Sequence, residues 1–187
     1  MQAKDICKVI DVKKVMKVIA LNEISGNENV ICKFSFAGGI SGYSFGRSQF
    51  DVKHNEAARN FLKSKCGFTQ EEIDKLLRLD KDLAPLNEKL KAHRKEIDDL
   101  DAEHIKQMIN YVSSLEKLPD MDEKTFVHLV DYHNQFNLSK GGKMHLWLQS
   151  KAEVTSKDIL NFKLSLKWGK EHPEDVKRRY DNIEKEW

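Results

Sequence analysis

One stretch of this 187-residue chain reads as β-structure, and helical patterns flank it on both sides. Val30, Cys32, Phe34 and Phe36 alternate with Ile31, Lys33 and Ser35; Ala37-Gly38-Gly39 supplies a turn, and Ile40 to Phe45 leads back. The return strand runs into Gly46-Arg47-Ser48-Gln49-Phe50-Asp51. Upstream, Val12, Val15, Met16 and Ile19 recur at i, i+3, i+4 and i+7, the stripe of a half-buried helix. A short, polar, glycine-rich hairpin among amphipathic helices constrains the chain to an α+β fold that is mainly α.

Continued four residues past Ile19, the apolar stripe reaches Glu23, and Ser25-Gly26 then reads as a helix stop. A carboxylate on an apolar face, in the last turn where the macrodipole is negative, is costly to ionise, so the pKa of Glu23 is expected to rise. Those are the conditions for a general acid protonated near neutral pH. With Asp51 at the far end of the hairpin, the layout is that of the paired carboxylates of glycosidases. The competing reading is a surface glutamate before an ordinary hairpin. Asp51 likewise has two readings: a base that activates water, or a cap for the helix expected over 54–65.

These residues also carry a resemblance. Glu23-Ile-Ser-Gly followed by Tyr43-Ser44-Phe45-Gly46-Arg47-Ser48-Gln49-Phe50-Asp51 resembles the lysozyme superfamily, which includes goose-type lysozymes, lytic transglycosylases and phage endolysin muramidases. The likeness covers residues 15–60 well and the rest loosely. It implies a lysozyme-like fold, with a small β-hairpin lobe at about 27–52, a helical lobe at about 53–187 and a cleft between them. It implies cleavage of the β-1,4 bonds of peptidoglycan, with Glu23 as acid and Asp51, or in reserve Glu28, as the second carboxylate. Tyr43, Ser44, Arg47 and Gln49 would position water or N-acetyl groups. Arg47-Ser48 stands where the goose pattern has an apolar pair, so hydrolase and lytic transglycosylase both stay open.

The length fits one domain spanning 1–187 with a real core. Lys and Arg outnumber Asp and Glu 11 to 6 over residues 1–67, trail 10 to 15 over 68–125, and lead 11 to 9 over 126–187. The basic first third suits an anionic polymer such as a cell wall. No helix gathers its cations on one face, so nucleic acid is not an expected partner. Cys7, Cys32 and Cys66 are odd in number and lack metal-ligand spacing, so free thiols from a reducing compartment are expected, with no metal and no cofactor. The first residues lack a long apolar run. The expectation is therefore a chain without a signal peptide, made in the cytoplasm, not inserted in a membrane, and acting on the wall after release as a monomer. A phage endolysin fits first and a secreted antibacterial effector second.

Beyond the hairpin, Asn55 to Lys65 reads as a helix ended by Gly67, and Thr69-Gln-Glu-Glu72 as a capping box. Residues 80–104 read as an exposed, charged helical connection broken at Pro85. Ile105, Met108, Ile109 and Val112 mark a core helix that ends before Pro119; Asp122 caps the next, along which Phe126, Leu129, Val130 and His133 share a face. On that helix Tyr132, Asn134 and Gln135 resemble the tyrosine- and asparagine-bearing helix lining the saccharide groove of the lysozyme superfamily, while His133 reads as a core histidine. Thr155 starts a further helix, and Trp168 reads as structural.

Overall fold

The computed structural model describes residues 1–187 and is mainly helical. The elements are α1 (Ala3–Val9), α2 (Val12–Ile24), a 3-10 turn at Glu28–Val30, β1 (Ser35–Phe36), β2 (Tyr43–Phe45) and β3 (Phe50–Asp51). Eight helices follow: α3 (Glu56–Cys66), α4 (Gln70–Leu77), α5 (Ala84–Lys91), α6 (Arg94–Ser114), α7 (Glu123–Phe136), α8 (Lys143–Gln149), α9 (Ser156–Ser165), α10 (Lys167–Glu171) and α11 (Pro173–Glu186). Residues 19–103 form one compact unit, and 1–18 with 104–187 form another. No helix is long and apolar enough to cross a membrane.

Local chemistry sets most helix ends. The Asn55 side chain accepts from the Ala58 amide and caps α3, and Gly67, at φ +66°, closes it. Thr69 and Glu72 form a reciprocal capping box at α4, Thr155 and Asp158 form one at α9, and Asp122 caps α7 through the Thr125 amide.

The unit of residues 19–103 is organised by aromatic rings. Phe34 meets Phe45 and Phe68 edge-on at 5.9 and 6.0 Å, and Phe61 stacks on Phe45 at 6.0 Å. Leu62, Ile73, Leu76, Leu86, Leu90 and Ile97 close the same cluster. Helices α3 to α5, assigned from sequence to a separate helical lobe, thus share the hairpin's core. The charged 80–104 segment is no exposed connection either, because Leu86, Leu90, Ile97 and Asp101 are all buried.

The β region differs from the expected strand pair. It is a three-stranded antiparallel meander, β1-β2-β3, because the chain turns a second time at Gly46–Gln49. The expected strand over 30–36 shrinks to Ser35–Phe36. Asn27 accepts from the Asn29 amide and starts a helical turn, and Ile31 and Cys32 are then both buried, which a pleated strand cannot do with consecutive residues.

In the other unit α7 is the central helix. Phe126, Val127, Leu129 and Val130 are fully buried, and α1, α9 and α11 pack around it. The α9–α10 corner requires Gly169, where a Cβ would lie 2.0 Å from the Lys163 carbonyl oxygen. Deep in this unit Arg179 grips Asp131 through two bonds of 3.1 and 2.6 Å, and the Lys163 ammonium lies 3.5 Å from the same carboxylate.

All three cysteines are free. Cys32 and Cys66 are buried, and burial pushes the Cys66 thiol up to about 12, whereas Cys7 is half-buried. Alkylation of the folded chain is therefore expected to label Cys7 first, and all three only after denaturation. Labelling of Cys66 at the rate of Cys7 in the native protein would contradict this packing.

Candidate active site

Helix α2 ends at Ile24, Ser25 and Gly26 take positive φ of 54° and 68°, and the Gly26 amide returns to the Ala20 carbonyl. The stop falls where the sequence places it, but the buried face is turned by one position. Val15, Val18, Ile19 and Asn22 are buried while Met16 is only half-buried. The stripe therefore passes through Asn22, and Glu23 stands beside it, half-buried in the last turn. A carboxyl there is held by the helix yet partly reachable from outside.

The sheet that follows has two unlike faces. Ser35 pairs with Ser44, and Ser44 with Asp51, so these three side chains form a row on one face. All three are half-buried. The other face carries Tyr43, Phe45 and Phe50, which are buried.

Asp51 is the most heavily bonded member of the row. Its Oδ2 accepts from the Gly42 amide at 3.1 Å and lies 3.0 Å from His54 Nδ1. Its Oδ1 accepts from the amides of Lys53 and His54 at 2.8 and 3.2 Å. Burial pushes this carboxyl up, but the His54 ring and the amides of Gly42, His54 and Lys53 together hold it below the ordinary aspartate value. Gly42 is required, since a Cβ there would sit 2.4 Å from Lys53 Cβ and 2.7 Å from Asp51 Oδ1. Asp51 thus pins the hairpin to the turn before α3, while the cap of α3 itself is Asn55.

The sign of the resulting pH dependence is fixed. A carboxyl held low in the folded state adds stability that is complete above the pKa of an unfolded aspartate and is lost as pH falls through its own lower value. An NMR titration should place Asp51 below a free aspartate, with the Lys53 and His54 amide signals moving at the same pH. An Asp51 pKa at or above the ordinary value would refute this bonding.

Three residues expected at the substrate are instead occupied by the fold. The Tyr43 ring is buried and its hydroxyl donates to the Asp80 carbonyl at 2.8 Å. Gln49, at φ +52°, folds back so that its Nε2 donates to the Gly46 carbonyl at 2.9 Å. Arg47 lies in a network of acids: its Nη1 contacts Asp98 and stands 3.5 Å from Asp101 Oδ2, and its Nη2 is 3.9 Å from Glu28 Oε1. Arg94 reaches the same Asp98 at 3.0 Å and Glu28 at 3.7 Å. Glu28, the reserve carboxylate, is exposed and flanked by these two guanidinium groups.

Asp101 is a residue the sequence reading missed. It is fully buried and accepts from the amides of Arg47 at 3.0 Å and Ser48 at 3.2 Å. Burial pushes its carboxyl up, against the pull of those amides and of the Arg47 guanidinium. The signal was present, because Asp101 stands four residues after Ile97 and four before Ile105, an acid on an apolar stripe.

Tyr132, Asn134 and Gln135 belong to the other unit, on α7. Tyr132 is buried, Asn134 is half-buried, and Gln135 Nε2 lies 3.4 Å from Asp175 Oδ2. His133 is half-buried, stacks on Tyr111 at 4.6 Å and accepts from the Leu138 amide at 3.0 Å. Trp168 packs on His172 at 3.9 Å and on Phe136 at 6.4 Å, with 41% of its surface exposed. No group of three or more His, Cys, Asp or Glu side chains is placed to hold a metal ion. No protein-family model, curated protein or solved structure matches the chain.

Proposed function

We propose that this chain cleaves the β-1,4 glycosidic bonds of peptidoglycan, with Glu23 as the general acid. The observation that supports the reading is one arrangement: a half-buried glutamate in the last turn of a helix, a glycine stop, and then a small sheet with the polar row Ser35, Ser44 and Asp51. Glu23 protonates the leaving oxygen, and the row offers hydroxyl and carboxylate groups to the sugar. In the hydrolytic form, Asp51 orients the attacking water.

Asp51 supports a second reading. A carboxylate has about four lone-pair directions, and the hydrogen bonds to Gly42, Lys53 and His54 use them. A carboxylate so engaged and held below its ordinary pKa is a poor acceptor for a proton from water. This favours lytic transglycosylase chemistry, in which the sugar's own C6 hydroxyl attacks and no water-activating base is needed. Access to the wall would follow release as a phage-type lysin.

Mass spectrometry of digested, purified peptidoglycan tests the proposal. Reducing-end muropeptides identify hydrolysis, and 1,6-anhydro ends identify the transglycosylase. Intact glycan after prolonged incubation would reject both and leave a non-catalytic interaction module.

A further inference from the structure

The loop after α7 closes a small pocket in the unit of residues 1–18 and 104–187. It holds about 190 Å³, and Tyr132, Phe136, Asn137, Ser139 and Lys143 are among its walls. Tyr132 and Phe136 form a contiguous aromatic side, with ring centroids 5.2 Å apart, and Phe136 continues it outward to the partly exposed Trp168. The Tyr132 hydroxyl has no protein partner, and the exposed Lys143 ammonium has no carboxylate paired with it.

The rim of this pocket is a fixed loop. The Leu138 amide donates to His133 Nδ1 at 3.0 Å, the Lys140 amide to the Tyr111 hydroxyl at 3.2 Å, and the Gly141 amide to His145 Nδ1 at 2.9 Å. Asn137 and Gly141 hold positive φ of 59° and 74°. A Cβ on Gly142 would come within 2.5 Å of Ser139 Oγ, so the loop doubles back tightly. Each loop amide bonded in this way spends its hydrogen bond inside the protein, while the Tyr132 hydroxyl and the Lys143 ammonium remain for a guest.

A small preformed hollow with aromatic walls and a few convergent polar groups is the ordinary form of a small-molecule site. Aromatic faces are electronegative and suit the C–H face of a pyranose ring. A hydroxyl and an amide bind ring hydroxyls or an acetamido group, and a single ammonium selects a carboxylate. We propose that this pocket binds one carboxylate-bearing amino-sugar residue of a glycan, stacked on Phe136 and Tyr132 with its acid on Lys143. The choice of an acidic amino sugar rests on the peptidoglycan reading above.

The test is an NMR titration of the full chain with N-acetylmuramic acid and, separately, N-acetylglucosamine. The acidic sugar should shift the backbone amides of Tyr132, Asn137 and Lys143. Lys143→Gln, an exposed change that spares the fold, should weaken the acidic sugar about tenfold and leave the neutral one unchanged. Phe136→Leu should weaken both. Absence of shifts at those amides at saturating sugar, or an acid preference untouched by Lys143→Gln, overturns the proposal. Binding is scored without turnover, so a chain that takes the sugar here but leaves peptidoglycan uncut defeats the catalytic reading and not this one.

Discussion

Glu23→Gln is expected to leave the circular dichroism spectrum and unfolding midpoint unchanged and to lower the rate of peptidoglycan cleavage at least ~100-fold, the usual worth of a positioned general acid. The amide has the same shape and the same place in the last turn of α2, but it has no proton to give. Its neighbours predict the tolerance of the fold: the buried position at this end of the helix is Asn22, and Glu23 is only half-covered. A folded Glu23→Gln protein that releases muropeptides at the native rate would end the assignment of the acid, whichever product chemistry applies.

The largest stability effect is expected far from that residue, at Asp131→Asn. The native carboxylate is 1% exposed and is shared by Arg179 and Lys163, themselves 4% and 6% exposed. Burial pulls the Lys163 ammonium down, against the support of Asp131 and with the opposition of Arg179. Removing the one anion leaves two buried cations facing an amide, and breaking a buried pair in this way costs about 3–5 kcal/mol. Denaturant unfolding should register it as a large fall in midpoint. Asp131→Asn combined with Arg179→Met should recover much of the loss, because it removes one stranded charge along with its partner. A midpoint shift for the single variant no larger than that of an average surface substitution would mean that water reaches this cluster.

The fold and the site were legible to different depths in the sequence. Periodicity located α2, α3, α4, α7 and α9, and side-chain chemistry located their caps, because both signals are local. Asn55 beside Asp51 marks the limit of such signals: both are good caps, and only the tertiary position of Gly42 directs Asp51 to the hairpin. The strand expected over 30–36 failed for a similar reason. Its alternation was real in composition, but Asn27 and the core demand for both Ile31 and Cys32 set a helical turn there instead.

The polar motif between Tyr43 and Asp51 was legible as a motif and opaque as to use. Tyr43, Arg47 and Gln49 are recruited by Asp80, by the acids of α6 and by Gly46 respectively, and none of those partners lies in the pattern that drew attention to the stretch except Gly46. Ser44 and Asp51 share a face because of a register that alternation alone leaves undetermined by one residue. Asp101 shows the reverse case, a local signal that was plain but lay inside a segment read only for its charge.

The second turn of the sheet depends on that same aspartate. Arg47 and Ser48 donate their amides to an acid 54 and 53 positions further along the chain. A β-turn normally closes within a handful of residues, and a hairpin of this kind forms on the microsecond scale. This one cannot complete its hydrogen bonds until the first turns of α6 have docked, so its assembly carries the loop-closure entropy of a distant contact. The exchange of those two amides with solvent deuterium therefore reports the opening of α6 rather than fraying of the loop in which they sit, and a loop by position behaves, in its protection, as part of the core.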